Sequence, residues 1–404
     1  MAKQLLPLPL LRHALLCFFF LLCSIIFTKT LAKSTTYNVV DFGADPTGFK
    51  DSTLAFLGAW SNACRSLRPA RIQVPRGQFL LGTSTRFGGP CNSRLISITM
   101  LGTLVGPSDY RAIGESLHWL TFDEVSGVRI HGGVLDARGS SLWACKFSGQ
   151  PCPIGAITLG IKNSNNVVVT GLTLINSQLF HMIINGSNNV NVHGVKIMAP
   201  GNSPNTDGIH VQFSSDVTIL SPRIRTGDDC VSIGPGTRNL WVEDIACGPG
   251  HGISIGSLGW GMNEAGVNNV TVRTATFSKT MNGFRIKSWG RPSNGFVNDV
   301  HFEHALMTDV QNPIVIDQHY CPFYSGCPQM ASGIRISDIS YIDIHGTSAT
   351  EVAVKFDCSL KHPCRRLRLE DVRLTYKNQV PQASCRNAGG TSFGTVQPGS
   401  CLYL

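Results

Sequence analysis

Four short polar segments carry residue types that could do chemistry: Asn205-Thr206-Asp207, Gly227-Asp228-Asp229, Gly250-His251-Gly252 and Arg285-Ile286-Lys287. They supply three carboxylates, one imidazole and two cations. Asp207 precedes Asp228 by 21 positions (228 − 207), and Asp229 precedes His251 by 22 (251 − 229). If the chain winds into coils of that length, these side chains stack on one face, because neighbouring strands lie about 4.8 Å apart. Carboxylates held so close repel, and at least one should keep its proton to higher pH than usual. A protonated carboxyl beside an ionised one is what glycosidic bond cleavage requires: the acid protonates the leaving oxygen and the carboxylate activates water. The two cations add a positive rim that suits an acidic sugar polymer.

Each segment alone has a plainer reading. Asn-Thr-Asp-Gly is ordinary turn chemistry. A histidine between glycines can be a solvated loop residue. Arg285 and Lys287 alternate around Ile286, so both share one strand face and could simply be hydrated. Asp228-Asp229 precedes Cys230-Val231-Ser232-Ile233 and reads as a strand start, where successive side chains point to opposite faces. Bringing both acids to one cleft requires a bend, for which Gly227 is placed. The specific signal is the joint order and spacing.

A self-similar element supplies the coil. An Asn-, Asp- or Gly-led turn followed by alternating apolar residues recurs at Gly127-Val128-Arg129-Ile130, Asn166-Val167-Val168-Val169, Asn189-Val190-Asn191-Val192, Asp216-Val217-Thr218-Ile219, Asn239-Leu240-Trp241-Val242, Asn269-Val270-Thr271-Val272 and Asp299-Val300-His301-Phe302. Weaker copies follow at 333–336 and 366–369. From Val167 to Val300 the steps are 23, 27, 23, 30 and 30 residues. Period-two alternation predicts short strands, and the recurrence predicts an all-β solenoid, a right-handed parallel β-helix. A β-sandwich is the alternative, but it leaves the recurrence unexplained. An open solenoid exposes unpaired edges, so its ends need caps. Leu54, Leu57, Ala59, Trp60 and Ala63 predict a short amphipathic helix over 51–65 at one end, and a cysteine-rich tail from Cys358 would staple the other.

Residues 1–32 read as a secretory leader: a basic start, an apolar run over 15–27 and a small residue, Ala32, at its end. An uncleaved anchor is the alternative. The remainder, 33–404, shows no linker or composition shift and reads as one β-helix domain. Of 14 cysteines, Cys17 and Cys23 leave with the leader, and the remaining 12 are an even number, as full pairing in an oxidising compartment requires. Cys230/Cys247, Cys321/Cys327, Cys358/Cys364 and Cys385/Cys401 are close in sequence, though spacing alone leaves connectivity open. No Cys-x-x-Cys pair points to zinc. Asn185 and Asn269 head glycosylation sequons. The chain carries +9, and losing Lys3, Arg12 and Lys29 leaves +6 (9 − 3). That charge favours an anionic wall polymer or simply solubility, and without a Lys/Arg-rich block it gives no sign of a nucleic-acid partner.

At these motifs the chain resembles the polygalacturonases of glycoside hydrolase family 28, the plant members most of all. The resemblance runs from Tyr37-Asn38-Val39-Val40-Asp41-Phe42-Gly43-Ala44 through Asn205-Thr206-Asp207-Gly208-Ile209-His210, Gly227-Asp228-Asp229-Cys230, the segment Cys247 to Gly259 and Arg285-Ile286-Lys287 to the segment Pro313 to Cys321. It implies a parallel β-helix that hydrolyses α-1,4-linked galacturonan with inversion. It implies Asp228 as general acid, Asp207 and Asp229 as the groups activating water, and His251 beside the acid. Arg285 and Lys287 would hold galacturonate carboxylates, Asn205 and Tyr320 would line the cleft, and Cys230 would pair with Cys247. It implies no metal or cofactor, and a secreted, monomeric cell-wall enzyme with no membrane contact once the leader is removed. One segment departs from the family. Where many plant members carry Thr-Trp followed by Gln and Gly, this chain has Ser288-Trp289-Gly290-Arg291-Pro292. Action on another pectin, such as rhamnogalacturonan or xylogalacturonan, stays open, as does the choice between internal and terminal cutting. Two further readings compete: a calcium-dependent lyase on the same architecture, with Arg285 abstracting a proton, and a wall-binding β-helix without catalysis.

Overall fold

The computed structural model describes residues 34–322 and 326–403. The leader assigned to 1–32 lies outside them. Thr35–Leu404 forms one compact unit.

The recurrent segments fold as strands, and each pairs in parallel with the next copy. Val167 lies beside Val190, Val190 beside Val217, Val217 beside Leu240, Leu240 beside Val270 and Val270 beside Val300. Unequal steps in sequence are thus equal steps in space, because the extra residues of longer coils sit in loops. Each coil contributes one strand to an eleven-stranded sheet and further segments to an eighteen-stranded one. This is the expected parallel β-helix.

The polar residue opening each copy has a structural task. Asn166, Asn189, Asp216, Asn239, Asn269 and Asp299 all take positive φ, between 51° and 57°. Asn and Asp tolerate this left-handed conformation better than other residues with a Cβ. Their side chains then bond up the stack: Asn189 Nδ2 donates to Asn166 Oδ1 (2.7 Å), Asn239 Nδ2 to Asp216 Oδ1 (2.9 Å) and Asn269 Nδ2 to Asn239 Oδ1 (2.9 Å). The copy read at 333–336 is misplaced. Val300 pairs with Ile339, and the turning residue is Asp338 at φ 58°. The copy at 366–369 is in register, with Ile339 beside Leu367.

Alternation sorts side chains as the pleat demands. In the larger sheet Val167, Val190, Val217, Leu240, Val270 and Val300 are buried in one apolar ladder. In the smaller sheet Ile209, Val231, Ile253, Phe284 and Ile314 form another. Phe284, Phe302 and Tyr341 stack inside at centroid distances of 4.3 and 5.2 Å.

The N-terminal helix spans Thr53–Arg65 and closes that end of the core. Its buried face is Ala55, Phe56, Ala59, Trp60 and Ala63, whereas Leu54 is 84% exposed. Ala59, Trp60 and Ala63 thus lie on the expected face and Leu57 packs partly buried against the core, so only Leu54 departs from it. Asp51 lies outside the helix, and its Oδ1 accepts from the Thr53 N–H (2.9 Å), satisfying a free donor of the first turn. At the other end Cys358–Cys364 and Cys385–Cys401 are disulfides, as expected from their proximity. Cys230–Cys247 and Cys321–Cys327 pair as well, and Cys64–Cys91 and Cys145–Cys152 complete six bridges. Among the described residues no helix is long and apolar enough to cross a membrane.

Candidate active site

The outer face of the eleven-stranded sheet gathers all four polar segments. Its strands there are Ile209–Gln212, Val231–Ile233, Ile253–Leu258 and Asn282–Ser288. Asp207, the Asp228-Asp229 pair and His251 lie in the turns that enter the first three, one coil after another. Asp228 and Asp229 are thus in a bend ahead of their strand and not at its start, which resolves how both reach one side. Gly227 permits the bend: a Cβ there would meet the Ser203 carbonyl oxygen at 2.0 Å. Gly252, at φ 86°, allows a similar approach, since its Cβ would lie 2.1 Å from the Asn282 carbonyl oxygen.

Asp229 is the electrostatic anchor. Its carboxylate is 2% exposed. Oδ1 accepts from Ser254 Oγ (2.8 Å) and Arg285 Nη2 (2.9 Å), and Oδ2 accepts from Lys287 Nζ (2.9 Å). Burial pushes its pKa up, but the charges of Lys287 and Arg285 outweigh burial and hold it at about 2. Arg285 and Lys287 project outward around the fully buried Ile286, as alternation predicted. Their first role here is to neutralise Asp229. Arg285 spends Nε on Ser254 Oγ (3.0 Å) and Nη2 on Asp229, and Lys287 spends one of its three N–H donors. The remaining donors can take a substrate carboxylate. Tyr320 covers both, its ring centre 5.3 Å from Lys287 Nζ and 5.9 Å from Arg285 Cζ.

Asp207 is 6% exposed and receives a hydrogen bond from Ser232 Oγ (2.6 Å). Burial and the neighbouring charges of Asp228 and Asp229 push its carboxyl well above the usual carboxylate range. The repulsion expected from the spacing is therefore real, and it falls on the acid that has no cation of its own. Asp228 is the carboxylate most open to the cleft, with an 18% exposed side chain. Its Oδ1 accepts from the Asp229 N–H (2.8 Å) and lies 2.9 Å from His251 Nδ1, and Asn205 Nδ2 reaches Oδ2 at 3.4 Å. All eight expected catalytic and substrate-binding residues thus converge on one site.

Three polar residues of the site were missed from sequence. Ser232 donates to Asp207 and Ser254 to Asp229, and His210 Nδ1 lies 2.8 Å from Ser232 Oγ. Burial lowers the His210 pKa to about 4, so it is a neutral positioning group. Its ring stacks on Phe180 at 5.2 Å. The coil period could have found them: His210, Ser232, Ser254 and Arg285 pair in one row across adjacent strands, and the first steps are 22 each (232 − 210 and 254 − 232).

Atoms of Asp228, Asp229 and His251 lie within 4.8 Å of one another, a spacing metals use. A divalent ion there would meet Arg285 and Lys287 already paired with Asp229, so the donor set fits a cation poorly. The two sequons land differently. Asn185 ends a strand of the cleft sheet, paired between Lys162 and Gln212. Asn269 is exposed at a left-handed corner, but its Nδ2, the atom a glycan would take, bonds Asn239.

A model of the glycosyl hydrolases family 28 matches residues 64–396. The chain is 61% identical over 375 residues to a polygalacturonase of Prunus persica, covering 93% of this chain and 95% of that one. It is 37% identical to an exopolygalacturonase of Platanus acerifolia, covering 91% and 98%. Among solved structures, an endo-xylogalacturonan hydrolase from Aspergillus tubingensis shares the fold with a TM-score of 0.77 at 22% identity, covering 91% of this chain and all of that one.

Proposed function

Since the chain belongs to the glycosyl hydrolases family 28, we propose that it is a polygalacturonase that cuts α-1,4-galacturonosyl bonds of pectin with inversion. The observation that carries this is the division of labour among three adjacent carboxylates beside two cations. Lys287 and Arg285 hold Asp229 as an anion, while burial and the neighbouring charges of Asp228 and Asp229 raise the pKa of Asp207. Three carboxyls in different surroundings can divide the acid and base roles. Asp228 faces the cleft beside His251 and donates to the leaving oxygen. Asp207 and Asp229 lie deeper and orient and deprotonate water. Spare donors of Arg285 and Lys287 hold the galacturonate carboxylate, which makes the site selective for an acidic sugar.

The nearest oxygens of Asp228 and Asp229 lie within 4.8 Å, closer than the roughly 6.5–9.5 Å typical between carboxyls of inverting enzymes. Separation alone would favour retention with Asp229 as nucleophile. Against that, three charge-assisted or hydroxyl hydrogen bonds occupy both its oxygens and make it a weak nucleophile. Proton NMR of a fresh digest decides the point: the first product anomer is expected to be β. An α-anomer would assign Asp229 the covalent role.

The primary test follows reducing ends and ultraviolet absorbance on de-esterified polygalacturonate, with and without chelator. Reducing ends without absorbance are expected. Chelator-sensitive absorbance would indicate a lyase, and product lengths separate internal from terminal cutting.

Activity is expected to fall as pH drops through the raised pKa of Asp207, because its protonated carboxyl can no longer take a proton from water. A kcat/KM that stayed flat across the acid range would remove Asp207 from the base role. We also infer export to the cell wall. Six disulfides support this, since they persist in oxidising compartments.

A further inference from the structure

The segment that departs from the family pattern builds a second feature beside the catalytic centre. Trp289 packs edge-on against Tyr320, with centroids 5.4 Å apart, and Trp260 packs edge-on against Trp289 at 5.2 Å. The guanidinium of Arg291 lies over Trp260 at 4.3 Å and reaches Trp289 at 5.8 Å. Tyr320 itself covers Lys287, so the rings run outward without a break from the cations that hold Asp229.

Several observations mark this as a built surface. Trp260 is 62% exposed, a large apolar area left in water. The backbone beneath it is clamped: Glu264 accepts from the Gly259 N–H (2.6 Å) and the Trp260 N–H (3.0 Å), while Trp289 N–H donates to Leu258 O (2.8 Å) and Gly333 N–H to Arg291 O (2.8 Å). Arg291 makes no ion pair among the described residues, so its guanidinium donors are unspent. A rigid aromatic face with an unspent planar cation above it matches one ligand chemistry closely. The C–H face of a sugar ring lies on the indole surface that Arg291 leaves open, and the sugar's carboxylate takes two parallel N–H bonds from arginine at the ring's edge. A neutral sugar would use only the first contact, and a small anion only the second.

We propose that Trp260, Trp289 and Arg291 form an additional uronate-binding shelf, which holds a galacturonate unit of the polymer beyond the unit gripped by Arg285 and Lys287. This rests on the polygalacturonase reading. The shelf makes the enzyme favour long, de-esterified stretches, because a methyl ester removes the charge that Arg291 recognises.

Galacturonate trimer and octamer test it, with two readouts kept apart. In the first, equilibrium binding is followed by tryptophan emission in an Asp228→Asn background. The octamer is expected to bind more tightly than the trimer, and Trp260→Ala or Arg291→Gln to erase about tenfold of that advantage, which is about 1.4 kcal/mol. Trp260→Ala should also lose the emission change. In the second, kcat/KM of otherwise wild-type enzyme should show the same loss of chain-length preference, carried by KM. Equal losses on trimer and octamer, or none, would overturn the shelf and mark the cluster as structural. If the wild-type chain bound the octamer through the shelf but released no reducing ends, the hydrolase reading would fail and the shelf would stand. If it cut polymer with shelf-independent kinetics, the reverse would hold.

Discussion

Asp228→Asn is expected to lower kcat by about 10²–10⁴-fold, the usual contribution of a positioned general acid, while leaving polymer affinity within a few-fold of wild type. The asparagine keeps the shape of the side chain, and its oxygen can still accept from the Asp229 N–H, which Asp228 Oδ1 now does at 2.8 Å. What it lacks is a transferable proton. The two cations proposed to hold substrate carboxylates, Arg285 and Lys287, project from another strand, and their partner is Asp229 and not Asp228. A defect confined to kcat is therefore the signature of the acid, and a rise in KM with kcat intact would indicate a binding residue. Steady-state kinetics on polygalacturonate, paired with calorimetric binding to the inactive variant, checks both halves. Residual turnover above a tenth of wild type would remove Asp228 from the acid role.

Asp229→Asn is expected to be the most destabilising single change in the site, costing about 3–5 kcal/mol at neutral pH. Arg285 and Lys287 are 10% and 8% exposed, and both direct a donor at the Asp229 carboxylate from 2.9 Å. Neutralising it leaves two buried cations facing each other. Denaturant unfolding reads the loss directly, and Lys287→Met in the same chain should restore part of it, because one unpaired charge is removed. The pH dependence has a defined sign. The Asp229 pKa falls from 3.8 to about 2 on folding, so its contribution is fully present above about 4 and disappears as pH drops toward 2. The gap between wild type and variant should close over that window. A gap that persisted unchanged at pH 2 would mean the loss comes from packing and not from the ion pairs.

The fold was legible because a solenoid repeats its own instructions. Each copy must offer a residue that tolerates positive φ, then inward apolar positions two apart, and the chain states both as Asn or Asp before Val-x-Val. Where a coil changed length the signal weakened. The copy at 333–336 was assigned five residues too early for that reason (338 − 333), since Gly333-Ile334-Arg335-Ile336 imitates the pattern while Asp338 makes the turn. The capping helix and its face were legible except at Leu54. Leu54 and Phe56 both fit an apolar stripe, and only the position of the core beneath Thr53–Arg65 chooses Phe56.

The membership of the site was likewise written in the sequence, because residues one coil apart must stack. Asp207, Asp228, Asp229, His251, Arg285 and Lys287 are named by order and spacing alone. Their division of labour was decided by tertiary structure. Charge type does not say which carboxylate two cations will choose. That depends on where Arg285 and Lys287, 56 and 58 residues downstream of Asp229, project from a strand two coils away. Because they settle on Asp229, Asp207 is left buried beside two like charges that raise its pKa, and Asp228 faces the cleft. The same holds for Trp260 and Arg291. They are 31 residues apart with no motif to link them, and only the stacking of adjacent coils places a guanidinium over an indole.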